Sequence, residues 1–119
     1  MASWGIVYQM VKQTELLDGV FRALADPTRR SIIARLAEGP ATIGELGEPF
    51  DMTKPAITKH IKVLENAGLL TREIDGRLHR CEIDPRPLAE AQHWVAEVRA
   101  FWEDRFDDLA NYLDTIQKK

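Results

Sequence analysis

The sequence predicts a mainly helical fold with one small β-hairpin, and three observations support this prediction. Apolar residues recur every three or four positions in several stretches, as on the buried face of a helix. Proline and glycine separate these stretches, for instance at Gly39-Pro40. The segment 70–83 instead carries Asp75-Gly76 at its centre, a pair that is typical of a hairpin turn.

The size and composition of the chain predict one domain over residues 1–119, because 119 residues with 45% hydrophobic content suffice for one core. There is no apolar run long enough to cross a membrane, and the first residues lack the pattern of a secretion signal. Cys81 is the only cysteine, so it can form no intramolecular disulfide and no cage of thiolates around a metal. We therefore expect a cytoplasmic protein without a membrane partner.

The first two helices are predicted from apolar spacing and a helix start signal. Apolar residues at helical spacing predict a first helix from about Thr14 to Ala25. Asp26 and Pro27 begin a second helix, since the carboxylate accepts from free N–H groups and proline fixes the φ angle of the first turn. This second helix should end at the Gly-Pro pair 39–40.

The next two helices are short and each begins at a threonine. Thr42 and Glu45 form a capping box, in which the hydroxyl and the carboxylate each accept from a free backbone N–H. Thr53 caps a fourth helix over about residues 53–67, and Gly68 ends it. Two short helices joined by a tight turn are typical of a helix-turn-helix unit.

The hairpin over residues 70–83 is predicted to follow this unit as a wing. We expect Asp75 and Gly76 to occupy the centre of a type I′ turn. Leu70 then faces Cys81 across the strands, and the thiol serves packing. The sequence therefore predicts a winged helix-turn-helix with five helices and a two-stranded wing.

The last helix, over about residues 87–116, is unusually long for a chain of this size. Its apolar positions alternate in steps of three and four, and its length is roughly 45 Å. Trp94, Phe101 and Tyr112 form a second stripe beside the first. We expect one stripe to pack on the chain's own core and the other on a partner helix. The alternative is that both stripes are internal core.

The charged residues divide the chain into three parts. The net charge is −3, yet residues 52–80 hold six basic and three acidic side chains, whereas 1–51 hold five and seven and 82–119 hold five and nine. A basic centre between acidic flanks favours a DNA-binding element on a body that does not bind DNA elsewhere. A solvated surface of mixed charge is the alternative.

The fourth helix carries most of the candidate DNA contacts. Its apolar stripe turns the opposite, cationic side outward, where lysine and threonine can contact base edges in a major groove. The helix start can bind a phosphate oxygen, while His60 and Lys62 are expected nearer the DNA backbone. The candidates on this helix are Thr53, Lys54, Pro55, Thr58, Lys59, His60 and Lys62.

The wing adds three arginines. Arg77 follows the turn and can enter a minor groove, where narrow A·T-rich stretches are most negative. Arg72 and Arg80 are expected to contact phosphates, or alternatively to pair with Glu73 and Glu82.

The stretches FRALADPTRRSIIARLAEGPATIGEL and MTKPAITKHIKVLENAGLL resemble the ArsR family of bacterial repressors. The segment DGRLHRCEIDPRPLAEAQHWVAEVRAFWEDRFDDLANYL is similar to the wing and last helix of the branch that lacks metal sites and includes autorepressors. The resemblance covers about Leu16 to Leu113 and indicates a family-type unit over about residues 12–106. It implies a repressor that binds an inverted-repeat operator in double-stranded DNA.

The same resemblance implies a homodimer built from the first and last helices, and it implies which residues act. Its recognition positions fall on Thr53, Lys54, Thr58, Lys59 and His60, and its wing-tip arginine on Arg77. The residues expected at the dimer interface are Leu16, Val20, Trp94, Val98, Phe101, Trp102, Leu109 and Leu113.

Many members of the ArsR family sense metals. Their third helix carries paired cysteines, and the segment 42–50 has none. On the last helix only His93 and Glu97 are similar to a sensor site, and two ligands do not hold a tetrahedral metal. We therefore expect no metal and no cofactor.

Three other functions are alternatives to a DNA-binding repressor. The three histidines, at positions 60, 79 and 93, are scattered and no phosphate-binding loop is present, so the sequence does not favour an enzyme. A winged helix that binds a partner protein through its long helix is a second candidate. A regulator with a ligand pocket lined by Trp94, Phe101 and Trp102 is a third, although the sequence names no inducer.

Overall fold

The computed structural model describes residues 2–117, with side chains described from residue 12 onward, and within this range it contains five helices and three strands. The helices are α1 (Ala2–Leu24), α2 (Pro27–Leu36), α3 (Ile43–Gly47), α4 (Lys54–Asn66) and α5 (Arg86–Gln117). The strands are β1 (Ala41–Thr42), β2 (Leu70–Asp75) and β3 (Leu78–Ile83). They form an antiparallel sheet in the order β1-β3-β2. The predicted winged helix-turn-helix is confirmed, with β1 as an unexpected third strand.

The caps of the central helices are formed as the sequence predicts. The Thr42 hydroxyl accepts from the backbone N–H of Glu45 at 3.2 Å, and the Glu45 carboxylate accepts from the backbone N–H of Thr42 at 3.2 Å. Asp26 accepts from the backbone N–H of Thr28 at 2.8 Å at the start of α2. These bonds satisfy donors that have no partner inside the helix.

Two helix ends differ from the expectation. α1 begins at Ala2, well before the expected Thr14. The segment between them contains no proline, so nothing in it stops a helix from extending toward its N-terminus. α2 ends at Leu36, before the glycine-proline pair, because the chain already turns there: the N–H of Gly39 donates to the Leu36 carbonyl at 3.1 Å.

The register of the wing also differs from the expectation. Asp75 pairs with Leu78, so Gly76 and Arg77 are the central residues of the turn. Gly76 has a φ of +62°, whereas no described residue other than glycine has a positive φ. A positive φ at the first central position alone is the pattern of a type II′ turn, so the predicted type I′ turn is wrong.

This shift changes the partners across the hairpin. Leu70 lies opposite Ile83, and Arg72 lies opposite Cys81. The expected pairing of Leu70 with Cys81 is therefore wrong, although both side chains are buried in the core. The shift moves the partner by two residues, which keeps every side chain on its expected face.

The core lies where the first four helices meet the inner face of the sheet. The buried apolar residues are Val20, Ala23, Ile32, Ile33, Leu36, Ala41, Leu46, Ile57, Ile61, Leu64, Leu69, Leu70, Cys81 and Ala91. α4 contributes three of them and is packed on α1, α2, α3 and β2. The core thus fixes the position of α4 relative to the buried base of the wing, at Leu70 and Cys81.

α5 leaves this core after its second turn. Only Pro87 and Ala91 of its 32 residues are buried, and the helix is about 48 Å long. The radius of gyration is 20.4 Å, whereas a compact chain of this length has about 13.5 Å. Despite the length of α5 and α1, none of the helices described between residues 2 and 117 has the sustained apolar character of a membrane span.

Candidate nucleic-acid interface

α4 presents a cationic side to solvent. Ile57, Ile61 and Leu64 form its buried stripe, and the remaining side chains point away from the core because the helix repeats every 3.6 residues. Outside the stripe, the exposed candidates are Thr53, Lys54, Pro55, Lys59 and Lys62, with Thr58 half-buried beside them. The structure therefore brings together every candidate of this helix except His60.

The start of α4 is capped but remains accessible. The Thr53 hydroxyl accepts from the backbone N–H of Ala56 at 3.3 Å, and Pro55 lies in the first turn. The partial positive charge of a helix start favours an anion there. Thr53 and Lys54 are both exposed next to it, so a phosphate oxygen can approach this end of the helix.

His60 takes a different position from the lysines. Its ring is half-buried, and Nδ1 lies 3.3 Å from Nη1 of Arg29 in α2. One nitrogen of the ring is therefore occupied by a contact inside the chain. The structure places His60 between the recognition helix and α2.

The wing arginines fall into two groups. Arg77 and Arg80 are exposed, Arg77 directly in the turn. Arg72 is instead paired with Glu65 of α4, and its side chain is only 16% exposed. Neither Glu73 nor Glu82 is the partner of Arg72, because its guanidinium meets Glu65. Glu73 instead lies opposite Arg80 in the hairpin.

The contact between Arg72 and Glu65 is a two-point contact. Nη2 of Arg72 lies 2.7 Å from Oε1 of Glu65, and Nε lies 3.3 Å from Oε2. These hydrogen bonds lower the pKa of Glu65, against the opposing effect of partial burial. They also raise the pKa of Arg72. Both groups are therefore charged over the whole physiological range.

A groove of about 620 Å³ lies between α3, the start of α4 and the wing. Lys54 and Thr58 of α4 line this groove together with Arg72, Arg77 and His79 of the wing. Nδ1 of His79 is enclosed and has no hydrogen-bond partner among the described residues. Donors from two elements thus converge on one concave surface.

The expected dimer residues are mostly exposed on α5. Trp94, Phe101, Trp102, Leu109 and Leu113 are between 45% and 53% exposed, Leu16 of α1 is 39% exposed, and Val98 is half-buried. Val20 lies in the core of the single chain with no exposed surface. It therefore does not belong to the surface that α1 offers to a partner, and its assignment to the interface is corrected.

The aromatic side chains of α5 contact neighbours within the chain. Trp94 meets Phe21 of α1 edge to face, with centroids 5.6 Å apart. Trp102 lies between Phe101 and Phe106, at 5.7 and 6.2 Å. Trp94 lines a groove between α1 and α5, while Phe101 and Trp102 lie further along the helix, so the three residues are not gathered around one cavity.

The candidate metal ligands of α5 form a pair. Nε2 of His93 lies 2.9 Å from Oε1 of Glu97, and both side chains are mostly exposed. In the part of the chain that the structure describes, no group of three or more histidine, cysteine, aspartate or glutamate residues is arranged to hold a metal ion.

Two side-chain contacts near the candidate site are not predicted from the sequence, Arg72 with Glu65 and Arg29 with His60. A signal for the first was present: Arg72 is two residues from the buried Leu70, so the period of a strand places both on the inner face. Arg29 and His60 are 31 residues apart, and no local pattern connects them.

Comparison with known proteins agrees with this geometry. A family profile described as a helix-turn-helix domain matches residues 24–73. The HTH-type transcriptional regulator Rv2034 of Mycobacterium tuberculosis is 35% identical over 98 residues, covering 82% of this chain and 89% of that protein. The transcriptional repressor SdpR of Bacillus subtilis is 30% identical over 79 residues, covering 66% of this chain and 88% of that protein.

Comparison with solved structures also finds transcriptional regulators. A crystal structure of an ArsR family transcriptional regulator is 46% identical, covers 76% of this chain and 93% of the matched chain, and has a TM-score of 0.73. An ArsR-like transcriptional regulator from Rhodococcus sp. RHA1 is 26% identical, covers 81% and 91%, and has a TM-score of 0.67. The prediction of a regulator rather than an enzyme is confirmed by these relatives. The chain belongs to the ArsR family of winged helix-turn-helix, DNA-binding transcriptional regulators.

Proposed function

We propose that the protein is a repressor that binds an inverted-repeat operator in double-stranded DNA as a homodimer and thereby blocks transcription. The observation that carries this proposal is the exposed cationic side of α4, from which Lys54 and Thr58 line the same groove as Arg77 of the wing. The net charge of the chain is −3, so this concentration of cations on one surface provides the attraction for phosphates.

In this proposal the position of each residue determines which part of the duplex it contacts. Lys54 and Thr58, in the first turns of α4, contact base edges in the major groove. Lys59, Lys62 and the helix start at Thr53 contact phosphates, which hold the protein in register. At the wing, Arg77 enters the adjacent minor groove, and the exposed Arg80 contacts a phosphate.

The homodimer is supported by the uncovered apolar surface of α5. Beyond Ala91 no described side chain of α5 is buried, and apart from contacts such as that of Trp94 with Phe21 of α1 both stripes remain largely exposed. The large exposed residues are Trp94, Val95, Phe101, Trp102, Phe106, Leu109, Tyr112, Leu113 and Ile116. An exposed apolar surface of this extent favours association, and a second copy of the same helix offers an equally long apolar partner.

A two-fold dimer suits an inverted repeat. Each copy presents one α4 to one half-site, with centres about 34 Å apart, which is one turn of the duplex. The domain assignment belongs to this proposal: residues 1–119 act as one domain whose first and last helices form the dimer. The site of action is the cytoplasm, where bacterial operator DNA is found.

Repression is favoured by the names of the relatives. SdpR of Bacillus subtilis is a transcriptional repressor, and SmtB of Mycobacterium tuberculosis, 36% identical over 66 residues, is an HTH-type transcriptional repressor. A protein that occupies an operator overlapping a promoter excludes the polymerase without any further activity.

A gel shift with the protein's own upstream region, at two salt concentrations, tests the proposal together with a sizing measurement. We expect a retarded complex that weakens as salt rises, because counterions are released when phosphates are neutralised. We expect a dimer by sizing. A monomer that leaves duplexes unshifted at low salt would contradict the proposal.

A further inference from the structure

The wing is attached to the body mainly at its base. Leu70 of β2 and Cys81 of β3 are buried in the core. Toward the tip, Ile74 and Leu78 are 64% and 58% exposed, and the side chains from residue 73 to 78 are all exposed. β3 is held by β1, which pairs with it as far as Arg80, whereas β2 lies at the edge of the sheet. On the inner face of β2, the residue that follows the buried base is Arg72, so contacts of Arg72 bear on the angle between β2 and α4.

The contact present at that position is the ion pair between Arg72 and Glu65. Glu65 lies in the last turn of α4, and the guanidinium meets both carboxylate oxygens, at 2.7 and 3.3 Å. The two side chains are 16% and 33% exposed, so solvent screens the pair less than it screens a pair on the open surface. A fork of this kind restricts the direction as well as the distance between its partners.

The pair lies at a point where a small change is amplified. Gly76, at the tip, is about 13 Å from Arg72 along the strand, so a rotation of the hairpin by about 10° at Arg72 moves the tip by about 2 Å. A hydrogen bond from Arg77 to DNA does not survive a displacement of that size.

We propose that the ion pair between Glu65 and Arg72 is a positioning element that fixes the wing relative to the recognition helix, so that both engage one duplex together. Arg72 lines the groove, but its guanidinium is engaged by Glu65; in this proposal it influences DNA binding through the wing rather than by its own contact with DNA. This inference rests on the proposed function, in that it requires the chain to bind a duplex through α4 and the wing.

The test uses the full chain and the duplex that the wild-type protein selects from a randomised library. The variants are Glu65→Gln, Arg72→Lys and Arg72→Ala, with Arg77→Ala for comparison. Arg99→Ala is the matched control, because Arg99 forms an ion pair with Glu103 at 2.9 Å on the exposed side of α5, away from α4 and the wing. Circular dichroism and thermal unfolding of each variant verify that it is folded.

The Glu65→Gln variant separates the two roles of Arg72 by the sign of its effect. It removes a negative charge beside the DNA surface, so electrostatics alone would tighten binding. If the pair positions the wing, binding instead weakens, by about fivefold, the lower range of measured couplings between sites. Arg72→Lys keeps the positive charge but loses the two-point contact with the Glu65 carboxylate, and we expect it to weaken binding too. If Glu65→Gln does not fold, the result for Arg72→Lys decides the test.

A double-mutant cycle gives a second readout. If Arg72 acts through the wing tip, Arg72→Ala adds little to Arg77→Ala, because the contact that it positions is already gone. Additive losses, or a Glu65→Gln variant that binds as tightly as the wild type or more tightly, would overturn the positioning role while leaving DNA binding intact. A wild-type protein that selects no duplex would overturn the proposed function, and this inference with it.

Discussion

Arg29 of α2 donates from Nη1 to Nδ1 of His60 in the recognition helix, across 3.3 Å. The same guanidinium donates from Nη2 to the carbonyl oxygen of Arg22 at 3.2 Å, and so holds the end of α1 as well. A guanidinium has no acceptor, so Nδ1 must accept. The neutral ring then carries its hydrogen on Nε2, which leaves that nitrogen as a donor.

This relationship predicts the tautomer of His60. At a pH where the imidazole is neutral, we expect the nitrogen NMR spectrum to show an unprotonated Nδ1 and a protonated Nε2. Arg29→Ala removes the donor and should let the two tautomers mix. His93, whose Nε2 lies 2.9 Å from the Glu97 carboxylate, is the internal comparison, since a carboxylate requires a hydrogen on the nitrogen that it faces. A protonated Nδ1 in the wild-type His60 would contradict the prediction.

Two glycine substitutions are expected to have opposite effects on stability. Gly68 has a φ of +78°, and a Cβ there meets only Pro87 at 3.6 Å, so the conformation rather than space opposes a side chain. Gly68→Ala should lower the free energy of unfolding by about 1 kcal/mol. Gly19 lies inside α1 with open space around it. Gly19→Ala should raise the free energy of unfolding by about 0.5 to 1 kcal/mol. Urea unfolding at one fixed protein concentration measures both, and a shared sign would contradict the argument.

Local signals predicted most of the fold. Thr42 with Glu45 and Thr53 are caps that act within three residues, and the stripe of α4 repeats within two turns, so both are readable from neighbours in the sequence. The sequence does not determine the turn of the wing, because a turn centred on Asp75-Gly76 and one centred on Gly76-Arg77 place the same side chains on the same faces. Burial does not distinguish these two registers, and the pairing of β3 with β1 is known only from the structure.

The part of the candidate site that depends on local patterns was also predictable from the sequence. The outward lysines of α4 follow from its buried stripe. Arg72 and His60 each depend on a partner in another element, Glu65 and Arg29 respectively. Whether a polar side chain meets DNA or another part of the chain is decided by the packing of those elements, which the sequence does not display.

Asp84 is expected to contribute a pH-dependent part of the stability. Hydrogen bonds from the Arg86 side chain, and then from its backbone N–H, lower the pKa of Asp84 from 3.8 to about 2. Because the pKa of this carboxyl is lower in the folded than in the unfolded protein, its charge stabilises the fold fully above about pH 3.8. This stabilisation is lost as the pH falls toward 2. Asp84→Asn should therefore lower the melting temperature near neutral pH, and the difference from the wild type should shrink in that acid range.

The control for this experiment is Asp107→Asn, which removes one negative charge from the exposed side of α5. A difference between the wild type and Asp84→Asn that stays constant down to the lowest pH measured would show that the carboxylate's charge is not what stabilises the turn before α5.

Lys59 is expected to contribute to the salt dependence of DNA binding. It is exposed on the outward side of α4, where a phosphate contact releases counterions. Lys59→Ala should reduce the slope of the logarithm of the binding constant against that of the salt concentration by about one unit. Arg99→Ala, on α5, should leave the slope unchanged. A slope that is unaltered in Lys59→Ala would exclude this residue as a phosphate contact.

The dimer proposed through α5 is tested most directly at Leu109, which is 53% exposed within the apolar surface. Leu109→Asp places a carboxylate where the second copy would exclude water, and such burial is costly unless the charge is paired. We expect the dimer dissociation constant to rise by about tenfold or more, measured by analytical ultracentrifugation. Operator affinity should fall with it, because one monomer reads one half-site.

The matched control is Ala96→Asp, since Ala96 is exposed on the opposite side of the same helix. It adds the same charge to α5 without entering the apolar surface, so we expect it to remain dimeric and to bind the operator as the wild type does. If Leu109→Asp remained dimeric as well, the two copies would have to meet through another surface. The apolar face of α5 would then have a different occupant.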